Sequence, residues 1–119
     1  MNITRLHDCV PFTAGDGCTL RELANAATQP RAFRYSFAHA VVAAGQRTKP
    51  HSLRTSEVYY ILQGEGRMHV NDEVAAVGPG DMVDIPPSAL QWIESGGRED
   101  LVFVCVVDPG WRKEDELVR

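Results

Sequence analysis

The stretch "GQRTKPHSLRTSEVYYILQGEG", residues 45–66, sets an imidazole, His51, and a carboxylate, Glu57, just ahead of an apolar run that ends in a Gly-Glu-Gly turn. Two chemistries suit this pair. A neutral imidazole and a carboxylate can share a divalent metal ion. Buried together, they can instead neutralise one another as a hydrogen-bonded pair. Residues two apart on a strand point to the same side, so position 53 looks where His51 looks. A second histidine there would complete a ligand set, but the residue is Leu53, which cannot ligate.

The elements that must position these groups are short strands. "CTLREL" follows the turn "GDG", and "RAFRYSFAHAVVAAG" alternates, with Phe33, Tyr35 and Phe37 on one face. "EVYYIL" ends at Gly64, "RMHV" and "EVAAV" flank the hairpin turn "NDE", and "DMVDIP" follows "GPG". "QWIES" ends at "GG", and "LVFVCVV" is a continuous apolar run suited to a strand buried on both faces. Only "LRELANAATQ" has any helical character. Many short strands with evenly spaced turns predict an all-β sandwich or barrel. Gly64, Gly66, Gly78 and Gly80 are expected to take positive φ in turns, and no helix follows them to make a phosphate loop.

Composition narrows the function. With 119 residues and 13.1 kDa the chain has room for one domain, 1–119, and one core. A net charge of −4 leaves no basic stripe for nucleic acid. No apolar window is long enough for a membrane helix, and the N-terminus does not read as a signal peptide. Three unpaired cysteines, Cys9, Cys18 and Cys105, fit a reducing cytoplasm. The run "RKEDELVR" reads as a solvated tail, with Trp111 available to pack against a partner.

The spacing resembles the cupin family. Gly45, His51, Leu53, Glu57 and Gly64, spanning 45–64, are similar to its first motif, in which two histidines and a glutamate stand between two glycines. Gly80, Pro86, Ser88, Gln91 and Ser95, spanning 80–95, are similar to its second, which carries the last histidine. The resemblance implies a double-sheet jelly-roll barrel that commonly pairs as a homodimer. It also implies metal ligands at His51, Glu57 and Gln91, with Leu53 and Gln91 standing where the family has histidine. An amide oxygen in place of imidazole favours Mg, Mn or Ca over Zn or Cu.

Several neighbours could line the same pocket. Tyr59 and Ile61 share strand parity with Glu57, and Trp92 and Ile93 stand beside Gln91. His39 would add a ligand if its strand face looked inward, although that face also carries Phe37 and Val41. His69 is expected at the surface, and Arg21 is expected to be a surface arginine rather than a ligand-facing cation. The chain is thus expected to bind a divalent metal and a small-molecule ligand, with chemistry of the isomerase, lyase or oxygenase kind. The alternative is a non-catalytic binder of small molecules or sugars that has lost the metal.

Overall fold

The computed structural model describes all residues, 1–119, and nearly all of its regular structure is strand. The strands are β1 (Phe12–Thr13), β2 (Thr19–Ala24), β3 (Ser36–Val42), β4 (His51–Leu53), β5 (Ser56–Gln63) and β6 (Gly66–Val70). They continue with β7 (Glu73–Val77), β8 (Met82–Ile85), β9 (Gln91–Ser95), β10 (Leu101–Asp108) and β11 (Glu116–Val118). Single 3-10 turns lie at Leu6–Asp8 and Lys113–Asp115.

Two antiparallel sheets face each other in the jelly-roll arrangement. One has the order β1-β2-β3-β10-β5-β8 and the other β11-β4-β9-β6-β7. Alternation along each strand decides which side chains enter the space between them. From β5 these are Glu57, Tyr59 and Ile61; from β10, Leu101, Phe103, Cys105 and Val107. Ile93 and Met68 meet them from the opposite sheet. At one end of the barrel the apolar groups pack solid, and Ile61, Ile93 and Leu101 are completely buried.

Three expectations are corrected. The segment "LRELANAATQ" is not helical: its first residues form β2, paired with β3, where sheet hydrogen bonding outweighs weak helix propensity. β10 buries only one face. Its outward residues Val102, Val104 and Val106 are half-buried, because no second layer covers that side of the larger sheet. "RKEDELVR" is not a free tail either. It turns through the Arg112–Asp115 ion pair and ends in β11, which pairs with β4. Backbone pairing of this kind leaves no mark in a charged sequence.

Of the four expected turn glycines, Gly64 and Gly80 take positive φ, at 82° and 91°. Gly66 and Gly78 do not; a side chain on Gly66 would run into the Glu94 carbonyl. Gly64 is doubly constrained, because a Cβ there would also stand 2.6 Å from the Asp100 carbonyl oxygen. Gly64→Ala should therefore lower the unfolding free energy by about 2 kcal/mol or more. Gly97→Ala, where an added Cβ meets nothing within 4 Å, should stay within about 0.5 kcal/mol of the parent. Urea unfolding midpoints of the two variants test the contrast.

Candidate functional site

Opposite the packed end, the barrel holds a cavity of about 570 Å³. Ala38, Ala40, Leu53, Phe103 and Val107 give it apolar walls, and Asp16, His51, Glu57 and Tyr59 stand among its polar lining. This is the size and mixture typical of small-molecule sites.

His51 begins β4 and is 3% exposed. Its Nδ1 lies 2.9 Å from the Lys49 carbonyl oxygen. A carbonyl only accepts, so Nδ1 donates to it, and Nε2 is the ring's other nitrogen. That nitrogen stands 3.7 Å from Asp16 Oδ2. Asp16 belongs to the loop between β1 and β2. There its Oδ1 accepts from the Cys18 amide (3.1 Å), and its own carbonyl accepts from the Lys49 amide (2.7 Å).

Glu57 reaches the same space from the other sheet. Gln91 Nε2 donates to Glu57 Oε1 (2.8 Å), and the Tyr59 hydroxyl donates to Gln91 Oε1 (2.9 Å). The chain Tyr59–Gln91–Glu57 thus ties β5 to β9 across the barrel. Tyr59 is held in turn by stacking on Phe103, with centroids 4.4 Å apart. Burial pushes the Glu57 carboxyl up to about 8; the Gln91 hydrogen bond opposes this, and the nearby Asp16 and Glu116 carboxyls add to it. Burial, with the Asp16 and Glu57 carboxyls adding to it, also raises the thiols of Cys18 and Cys105, which keeps both un-ionised.

The structure brings His51, Glu57, Leu53 and Tyr59 together at the cavity, with Gln91 directly behind. It does not bring in Ile61 and Ile93, which point inward but sit in the packed core beyond the cavity. His39 is corrected outright. On β3 the inward residues are Ser36, Ala38, Ala40 and Val42, so His39 faces out beside Arg21. Burial, with the Arg21 guanidinium second, holds its imidazole below the usual range. The three aromatic residues of "FRYSF" had obscured this parity, because here the large apolar side chains lie on the outer face. His69 and Trp92 also face outward, stacked 3.5 Å apart. The Trp111 indole N–H donates to Glu116 (2.8 Å) at the cavity wall.

Asp16, Glu22 and Glu116 were not legible as site residues. Asp16 sits in a "GDG" turn and Glu116 in a charged terminal run, and neither lies in a spaced motif. The loop before β2 carries Asp16 to the cavity, β2 itself carries Glu22, and β11 carries Glu116.

As arranged, the side chains do not compose a close-fitting metal site. No three His, Cys, Asp or Glu side chains converge at ligating distance. Leu53, 4% exposed, presents only carbon. Gln91 is wholly buried, does not reach the cavity, and has both ends of its amide engaged.

The cupin domain model matches residues 38–107, and the chain belongs to the cupin family. An uncharacterised protein of Methanocaldococcus jannaschii is 36% identical over 88% of this chain and 84% of its own. A cupin-2 domain from Rhodospirillum rubrum superposes with a TM-score of 0.80 at 19% identity, over 99% of this chain and 80% of that one. Oxalate decarboxylase from Bacillus subtilis also gives 0.80, at 20% identity, over 95% of this chain and 30% of that one. At such identities the structural likeness establishes the barrel and nothing finer.

The raised Glu57 carboxyl has a consequence for stability. A carboxyl near 4.5 in the unfolded chain and about 8 in the fold binds more protons when folded between those values. Stability therefore falls as pH rises through that window, by an amount on the order of a few kcal/mol. Glu57→Gln, which cannot ionise, should lack this decline and overtake the parent as pH approaches 8. Denaturant unfolding of both proteins from pH 4.5 to 8.5 tests it, and parallel curves would contradict the assignment.

Proposed function

We propose that this cupin binds a small organic molecule in the barrel cavity, directly and without a resident metal ion. The cavity itself carries the reading: its walls are largely apolar, and Asp16, His51, Glu57 and Tyr59 set polar groups among them. The donor set supports the metal-free form, because Gln91 acts as a brace for Glu57 and has no free carbonyl oxygen to offer. Oxalate, named for the Bacillus subtilis neighbour, is a dianion and suits this acidic lining poorly. Protein purified without chelator or metal-affinity tag should carry well below one divalent ion per chain. A stoichiometric ion that is lost in His51→Ala would instead make His51, Glu57 and Gln91 its ligands, and would reopen metal-dependent chemistry. Leu53→His combined with Gln91→His should create tight binding of Zn or Ni where the parent has little, with each single change giving only part of the gain.

The outer face of the larger sheet supports a homodimer. Val58, Tyr60, Leu62, Val104, Val106 and Met82 form a continuous apolar surface there, with Tyr60, Leu62 and Met82 openly exposed. Arg21 lies towards one edge and Asp84 at the other. A two-fold axis along β10 sets the basic edge of one copy over the acidic edge of the next. Sedimentation should give a mass near twice 13.1 kDa. Tyr60→Glu with Val104→Glu should give a folded monomer; a parent that is monomeric at micromolar concentration would remove the dimer and leave the pocket.

A further inference from the structure

The charge of the cavity is unbalanced, and its imbalance has a direction. Five carboxyl groups line it: Asp16, Glu22, Glu57, Glu114 and Glu116. Against them stand His51, Arg112 and Lys113. Arg112 is already committed, donating to both oxygens of Asp115 at 2.9 and 3.1 Å, and Lys113 is exposed at the mouth. No ion pair of the protein reaches Glu22, Glu57 or Glu116. Glu22 accepts only from the neutral Asn25 and Thr28 side chains, and Glu116 only from the Trp111 indole.

Glu57 gives this surplus a focus. It is 7% exposed and faces the cavity, and its single hydrogen bond, from Gln91, occupies Oε1. Oε2 has no partner within the protein. That oxygen opens on the cavity, and a carboxyl group so largely removed from water is stabilised when a donor or counter-charge meets it. Beside it lie the carbon surfaces of Leu53, Phe103 and Val107.

We propose that the cavity is built for a small organic cation, an ammonium group on an apolar body, with the charge at Glu57 Oε2 and the body against Leu53 and Phe103. This rests on the reading of the cavity as a ligand pocket and adds the sign of the ligand to it. Glu22 and Glu116 draw the cation in, and a carboxylate ligand is repelled by the same groups.

Three probes of one shape separate the terms: benzylamine, benzyl alcohol and benzoate, titrated at pH 8.5, above the raised Glu57 carboxyl, into chelator-treated protein and followed by two-dimensional NMR. Benzylamine should bind most tightly and benzoate most weakly, with shifts confined to cavity residues. Glu57→Gln should cost benzylamine at least about tenfold in affinity and leave benzyl alcohol unchanged. Glu22→Gln, at a half-buried position less exposed to any folding defect, should cost benzylamine a smaller factor. Benzyl alcohol or benzoate binding as tightly as benzylamine would overturn the charge preference and leave the pocket standing. Benzylamine affinity unmoved in both variants would overturn it equally. Absence of binding by all three probes at millimolar concentration would overturn the pocket as well.

Discussion

A carboxyl group is held inside a barrel with no arginine or lysine to meet it, and much of the structure follows from that. Glu57 is stabilised by an amide, Gln91, which is itself oriented by the Tyr59 hydroxyl. Because Glu57 and Tyr59 lie on β5 and Gln91 on β9, keeping the carboxyl satisfied also fixes the spacing of the two sheets. Such a network stabilises a unique arrangement only when each member has its partner. Here every link is made except Glu57 Oε2, and that open valence faces the cavity. The site is a gap in an otherwise complete polar network.

Around that gap the covering segments matter more than the barrel strands. The loop carrying Asp16 is pinned to the chain before His51 by the Lys49 amide, and β11 closes over β4 by backbone pairing. Both contribute carboxyl groups. The barrel thus supplies shape and the terminal segments supply much of the charge. A cupin barrel with other termini would have a cavity of similar size and a different field. This is one physical reason why barrels so alike in backbone carry dissimilar chemistry.

The two outer faces have opposite characters. On the smaller sheet the side chains satisfy one another: the Arg47 guanidinium lies 5.0 Å from the Trp92 ring, Trp92 stacks on His69, and His69 Nε2 meets Glu94 at 2.6 Å. On the larger sheet the aliphatic and aromatic side chains of β5, β8 and β10 lie open, and nothing in the same chain covers them.

Alternation and turn chemistry made the barrel readable from the chain alone, because a strand's period of two is local and Gly64 and Gly80 mark reversals that few other residues allow. The resemblance to the cupin motif put His51 and Glu57 inward, and parity along one strand carried Leu53 and Tyr59 with them. Parity failed for His39, whose strand has large apolar residues outside and alanines inside, so only the position of the second sheet could say which face is interior. It fell short for Ile61 and Ile93 too: facing inward is a property of one strand, but where the core ends and the cavity begins depends on how both sheets pack. Gln91 could be placed by the motif only as a ligand position, and its role as a brace depends on the Tyr59 hydroxyl and the Glu57 carboxyl reaching it across the barrel. Asp16, Glu22 and Glu116 enter the site through segments remote from the motifs, joined by backbone hydrogen bonds that any sequence can make. Their arrival, and with it the sign of the cavity, was decided by tertiary structure, because a charge's effect on a site depends on distance through space and leaves no period or spacing in the chain.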